Sequence, residues 1–387
     1  MTLFSPWADQ GHAVYVGSPM VDQSEFAFRE LCRRYGTQLC YTPMLHAKVF
    51  LDDSTYRTQR LDRDLLEGPN VPVVVQFAGD DPRTLVDAAK LVQHRATAVD
   101  LNLGCPQPIA RKGHYGSFLL RDTDTILAIL RAWRQELSIP FTCKIRIIDE
   151  GSKHPDDRGL QATLRLVDQL EAAGAAAITV HGRNRLMTGK KTGAADWTAI
   201  AAIKRRVHVP VIANGNIETF ADVGACAAAT GAAGVMSAEG MLENPALFLG
   251  GGGGGVDPFR LAREYLALVR SFPSWNVHRV EKAHVARLLH RPMRYLARRP
   301  RLPSMPVDDG DMMLASCAST DDLDRAVDAL DAACVEARQA DSMASWMFEE
   351  GDSWYRRHRR YVVEQHAKDA RKEVQQMWLA GGLRFTR

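Results

Sequence analysis

From residue 12 to about residue 240, short apolar runs alternate with longer segments in which apolar residues recur every three or four positions. The runs cover 12–17, 38–41, 71–77, 98–103, 141–147, 175–180, 209–213 and 234–236. Amphipathic segments at 24–35, 82–94, 123–136, 159–173, 197–206 and 219–230 lie between them and predict helices. Apolar strands alternating with helices indicate a parallel sheet covered on both faces. Eight such strands in this span predict an α/β chain closed into a TIM (β/α)8 barrel rather than an open doubly wound sheet. The segment 45–70 carries charges and little clear period, which predicts an elaborated loop.

Six consecutive glycines occupy 250–255. Such a run loses much entropy on ordering and has no side chain to pack, so it predicts a flexible linker after a barrel domain at 1–249. Beyond it, 258–270, 277–298, 320–338 and 361–377 have helical patterns, and 302–310, with two prolines and an Asp-Asp-Gly, has the composition of a loop. This predicts a small helical domain at 256–345 and a basic tail at 346–387.

Charge sharpens that division. The net charge is only +3, but residues 279–301 hold eight basic side chains and one acid, and residues 353–387 hold nine and three. The rest of the chain is therefore acidic, and the positive charge gathers in the C-terminal third, as expected of a surface that meets a polyanion. Solvated helix faces are the plain alternative. No stretch approaches the roughly 20 apolar residues needed to cross a bilayer. The first ten residues contain no basic residue and no apolar core of signal-peptide length, so a soluble, monomeric protein of the cytoplasm, or of the nucleus, is expected. The seven cysteines are scattered, odd in number and free of any C-x-x-C pair, which favours reduced thiols over disulfides or structural zinc.

In a barrel, chemistry gathers where the strands end, because the loops that follow them form one face. The ends are Ser18-Pro19-Met20, Thr42-Pro43-Met44, Gln76, Asn102-Leu103-Gly104-Cys105, Lys144 with Arg146, His181-Gly182-Arg183, Asn214-Gly215-Asn216 and Ser237-Ala238-Glu239-Gly240. Polar or small residues at so many corresponding positions predict a ligand lying across the barrel mouth. Loops after strands seven and eight commonly hold a phosphate through backbone N–H groups, and the glycines at 215 and 240 let the backbone approach an anion. Lys144 would place a cation over the barrel centre, suited to a flavin ring edge, or would pair with a neighbouring carboxylate. His181 ends a strand, where a histidine is often a hydrogen-bonded barrel residue; Gly182 and Arg183 beside it favour a functional role. Cys105 sits between Gly104 and Pro106 in a turn that should present its thiol at the mouth, whereas Cys32, Cys40, Cys143 and Cys226 fall in core-like patterns. A neutral thiol there donates a proton, and a thiolate attacks as a nucleophile; spacing does not choose between them.

Several of these segments resemble the tRNA-dihydrouridine synthases. They are residues 17–24 (Gly-Ser-Pro-Met-Val-Asp-Gln-Ser), Leu101-Asn102-Leu103-Gly104-Cys105-Pro106-Gln107, Thr142-Cys143-Lys144-Ile145-Arg146, Val180-His181-Gly182-Arg183, Asn214-Gly215-Asn216-Ile217 and Met236-Ser237-Ala238-Glu239-Gly240. They come in the family's order over about residues 12–249. Residues 111–119 (Arg-Lys-Gly-His-Tyr-Gly-Ser-Phe-Leu) look most like the eukaryotic branch that modifies positions 16 and 17 in the D-loop.

The resemblance implies an FMN at the barrel mouth, reduced by NADPH or NADH. Pro19, Met20 and Val21 would contact its ring, Gln76 its edge, and Lys144 and His181 its polar groups. Asn214, Gly215, Asn216, Ala238 and Glu239 would surround its phosphate. Cys105 would protonate C5 of the uracil while hydride reaches C6. A base in folded tRNA must be extruded to enter such a pocket, and contacts to phosphates elsewhere must offset that cost. Arg183, Arg287, Arg291, Arg294 and Arg298 are the candidate nucleic-acid contacts; the last four recur at helical spacing, although Pro292 interrupts them. Arg356, Arg357, Arg359 and Arg360, flanked by Trp354, Tyr355 and Tyr361, would add phosphate contact and stacking, or serve as a nuclear-import signal. Two competing expectations are an FMN barrel oxidoreductase acting on a small molecule and a non-catalytic RNA-binding protein on a relic barrel.

Overall fold

The computed structural model describes residues 3–7, 9–68, 71–151, 157–189, 192–250, 255–273, 277–298 and 310–340. Nine parallel strands form its sheet: β1 Val14–Gly17, β2 Leu39–Tyr41, β3 Leu45–His46, β4 Val73–Ala78, β5 Ala98–Leu103, β6 Phe141–Arg146, β7 Ile178–His181, β8 Val211–Asn214 and β9 Gly234–Ser237. Eight of them close a ring, since β1 pairs with both β2 and β9 and β2 pairs with β4. The two-residue β3 only extends the rim beside β4, with Leu45 opposite Phe77. The chain is a TIM barrel.

The helices between strands begin where their sequences supply a cap. Asp81, Asp122 and Asp196 accept backbone N–H groups at the starts of Pro82–Val92, Thr123–Glu136 and Trp197–Arg206, and Thr219 and Asp222 form a capping box before Phe220–Thr230. Each buries an apolar stripe against the outer face of the barrel, as Ile126, Ile129, Leu130 and Trp133 do. Val14, Val16, Leu39, Tyr41, Val74, Ala98, Ala177, Ile212 and Met236 fill the lower interior together with Leu3 and Phe4.

The segment 45–70 differs from its expectation as a loop. It contains helices Ala47–Asp52 and Ser54–Gln59 and a wide helical turn at Arg60–Asp64. Its charges hide the helical period because several face inward. Asp64 accepts the Phe26 N–H at 2.9 Å and pairs with Arg29 and Arg60, each at 3.3 Å, while Glu67 pairs with Arg29 at 2.7 Å and Arg33 at 2.9 Å.

After the barrel come helices Pro258–Ser271, Val277–Leu288, His290–Leu296, Gly310–Ser316 and Thr320–Ala340. The single helix expected at 277–298 is two. A proline at 292 has no N–H for the Leu288 carbonyl, and the first helix ends at Leu288. These helices share one hydrophobic core with the barrel's outer layer. A buried polar clasp adds to it: Tyr265 donates to Glu25 Oε1 at 2.9 Å, and His284 Nε2 lies 3.1 Å from Glu25 Oε2. Burial alone would raise the Glu25 carboxyl, but His284 and these hydrogen bonds hold it below the usual carboxylate range. Among the described residues no helix is long and apolar enough to cross a membrane. The glycines at 251–254, the expected loop at 302–309 and the expected helix and basic tail beyond 340 lie outside the described residues.

Candidate active site at the barrel mouth

Neighbours in register across a parallel sheet point to the same face, and successive residues of a strand to opposite faces. Gln76, Asp100 and Thr142 stand in register on β4, β5 and β6, so their side chains form one inward row. Above it Asn102, Lys144 and Thr179 form a second row, and Arg146, His181 and Asn214 a third. One side of the barrel interior is therefore polar from its middle to its mouth.

Hydrogen bonds tie these rows together. Thr142 donates to Asp100 at 2.6 Å, Gln76 donates to the other Asp100 oxygen at 2.8 Å, and Asn102 donates to Gln76 Oε1 at 2.7 Å. Gln76, expected at the flavin edge, is buried with a partner at each end of its amide. Burial pushes the Asp100 carboxyl up to about 6, against the opposing pull of Thr142, Gln76 and Lys144. Lys144 Nζ donates to Asn214 Oδ1 at 3.1 Å, so its hydrogen-bond partner is an amide rather than a carboxylate. Burial first and Arg146 second lower Lys144 to about 8, against the raising pull of Asp100 and Cys105. Burial and Arg183 likewise bring Arg146 down to about 10.

Cys105 follows β5 in a turn held at both ends of its peptide groups. Asn102 Oδ1 accepts the Gly104 and Cys105 N–H groups, each at 3.0 Å, and the Cys105 carbonyl accepts from Ser117 N at 3.0 Å and Ser117 Oγ at 2.9 Å. Arg146 Nε braces the turn by donating to the Gly104 carbonyl at 2.8 Å. Cys105 is partly exposed, whereas the other six cysteines are buried.

Loops after β7, β8 and β9 form an open cleft lined by His181, Arg183, Asn214, Gly215, Asn216 and residues 217–218 and 236–240, Ala238 and Glu239 among them. The Gly215 backbone, at φ +118°, turns so tightly beneath His181 that a β-carbon there would lie 2.6 Å from Ala195 and 3.2 Å from the imidazole. Arg183, expected at the nucleic acid, is buried in this cleft, with Nη1 3.0 Å from His181 Nε2, Nε donating to the Gly193 carbonyl at 3.0 Å, and Nη2 donating to Asn216. The Pro19-Met20-Val21 loop follows β1 on the same rim; Pro19 and Met20 are partly buried and Val21 is exposed. Ser24 fixes it by accepting the Met20 N–H at 2.9 Å.

The helical-domain arginines divide. Arg291 pairs with Glu243, which follows β9, and Gln23, with its amide oxygen turned to the guanidinium, accepts from Arg287 at 2.8 and 2.9 Å. Arg294 and Arg298 are exposed. Asp100 and Thr142, which lie below the strand ends, take part in the site, together with Asn102 and Arg146 from the strand ends. The signal was present as a period of two inside β5 and β6, where Asp100 and Asn102, then Thr142, Lys144 and Arg146, share one face.

Residues 16–269 match the family model described as dihydrouridine synthase (Dus). A Mus musculus protein named tRNA-dihydrouridine(16/17) synthase NAD(P)(+)-like is 46% identical over 280 residues, covering 72% of this chain and 56% of that protein. The Rattus norvegicus counterpart is 45% identical over the same length, covering 72% and 60%. In Saccharomyces cerevisiae, a tRNA-dihydrouridine(16/17) synthase is 46% identical over 242 residues, covering 62% and 55%. The chain thus spans little more than half the length of these relatives. With a barrel and a family match that runs across it, the chain belongs to the dihydrouridine synthase family.

Proposed function

We propose that this chain reduces uridine to 5,6-dihydrouridine in the tRNA D-loop, at positions 16 and 17, with FMN at the barrel mouth and NADPH or NADH as reductant. The observation that carries the reading is one partly exposed thiol, Cys105, on the same rim as a glycine-lined cleft that holds the Arg183 guanidinium. Relatives with the names given above support the choice of substrate.

The residues present fit the flavin. Gly215 and Gly240 bring bare backbone to the cleft wall, and the Arg183 guanidinium there supplies positive charge for a phosphate. Lys144 and His181 stand in register rows on β6 and β7 and would meet the polar edge of the ring. When bound, the flavin, reduced by NADPH or NADH, supplies the hydride that goes to C6 of the uracil. Cys105 Sγ delivers the proton to C5. Asn102 and Ser117 hold the turn that carries this thiol. Arg294 and Arg298 lie exposed on the helical domain, where they would meet tRNA phosphates and offset the cost of extruding a base.

The test is reconstitution with FMN, NADPH and tRNA lacking dihydrouridine, read by mass spectrometry of the tRNA. The parent protein is expected to be yellow and active, and Cys105→Ala yellow but nearly inactive, with a loss of about 100-fold or more. Unchanged turnover in Cys105→Ala removes the thiol from the chemistry. Reduction of free pyrimidines without tRNA replaces the substrate, and a colourless protein that still binds tRNA overturns the enzymatic reading.

A further inference from the structure

A directed series of hydrogen bonds runs from the barrel interior to the Cys105 turn. Thr142 and Gln76 Nε2 donate to the two oxygens of Asp100, Asn102 Nδ2 donates to Gln76 Oε1, and Gly104 N and Cys105 N donate to Asn102 Oδ1. A carboxylate only accepts. Gln76 must therefore turn its NH2 toward Asp100, which turns its oxygen toward Asn102. Asn102 in turn must give its NH2 to Gln76, leaving its oxygen for the two backbone N–H groups. Reversing either amide sets donor against donor at one end of the series and acceptor against acceptor at the other.

We infer that Asp100 is a positioning residue for the Cys105 thiol: it fixes the orientation of the Gln76 and Asn102 amides and, through them, the backbone that carries Sγ. Asp100 is wholly buried, where an apolar residue would be cheaper to keep than a carboxylate. Its two oxygens are spent on Thr142 and Gln76, and the latter bond begins the path to the turn. The carbonyl side of Cys105 is secured separately by Ser117, so the Asp100 series governs the N–H side.

The kinetic arm of the test rests on Cys105 being the proton donor; the geometric arm does not. The full-length protein is treated with iodoacetamide, and modification of Cys105 is followed by peptide mass spectrometry. Cys143, buried on β6 beside Thr142, serves as the internal report of an intact fold. In Asp100→Ala and in Gln76→Met, which cuts the series at its middle, Cys105 is expected to react faster by about threefold or more while Cys143 stays protected. Turnover on tRNA is expected to fall by about 10- to 100-fold in kcat with KM for tRNA unchanged. The double variant is expected to be no worse than either single one, because both interrupt one series.

Unchanged Cys105 reactivity in both single variants with Cys143 protected overturns the inference, as do additive effects in the double variant. If Cys143 becomes reactive in Asp100→Ala, that variant has lost its fold and Gln76→Met decides alone. Should the parent protein make no dihydrouridine, the proposed function falls, while the Cys105 reactivity still decides the role of Asp100.

Discussion

Gly116 lies against Cys105: a β-carbon at position 116 would sit 2.7 Å from the Cys105 carbonyl oxygen and 2.8 Å from its Cβ. The glycine also adopts φ +64°, in the left-handed region that other residues enter at a cost. Both conditions must be met for Ser117 to reach back to the turn. Gly116→Ala is expected to lose about 1–3 kcal/mol of stability and about 100-fold in kcat, with FMN content unchanged. Thermal denaturation and single-turnover rates check this; a variant with full activity would show that the thiol tolerates a displaced turn.

Lys144 loses its proton as pH rises through about 8, because burial disfavours its charged form. The positive charge it would offer a flavin is therefore present below that pH and fades above it. FMN affinity is expected to weaken as pH rises from 7 to 9, and Lys144→Gln is expected to bind more weakly at pH 7 and to flatten the profile. Fluorescence titration across this range provides the check.

Arg291 is engaged with Glu243, so charge reversal there would disturb docking of the helices as well as any nucleic acid. Arg294 and Arg298 are exposed, and reversing both leaves the Arg291–Glu243 pair intact. Arg294→Glu together with Arg298→Glu is expected to weaken tRNA binding and to lower the slope of log K against log salt by about 1 for each arginine–phosphate pair removed. Flavin content should not change. Equal affinity and slope would make this surface a solvated helix face.

Glu25 joins the barrel to the helical domain through Tyr265 and His284. Glu25→Ala leaves both partners buried without their acceptor and is expected to cost about 3 kcal/mol. Loss of the helical packing before the barrel melts would appear as a second transition in calorimetry. A single unshifted transition would show that the apolar interface alone sets the docking.

The barrel was legible because its strands and caps are local signals. Thr123–Glu136 follows from a capping Asp122 and from Ile126, Ile129, Leu130 and Trp133 spaced along one face. The rim residues were legible because all strands run in the same direction, so their ends share one face. Asp100 was not: Val99, Leu101 and Leu103 pack outward against helices, so β5 has the look of an apolar run and its inward polar positions are hidden within it. Residues 45–70 were missed for a related reason, since Asp64 pairs with Arg60 and Arg29 in the interior rather than marking a solvent face. Arg183 has the composition of a surface cation, yet three neighbouring groups take up its guanidinium inside the cleft. Sequence spacing carries no record of such long-range pairing.

The helices beyond residue 257 pack into the same apolar mass that backs the barrel, and Glu25 pins them from within. A nucleic acid gripped on their outer surface would thus be held at a set offset and angle from position 105. Choice among the nucleotides of a folded RNA would then be a matter of measured reach, with the protein acting as a rigid gauge between the grip and the reacting sulfur. Lengthening or shortening the helix that carries Arg294 by one turn would move that gauge and change which base arrives.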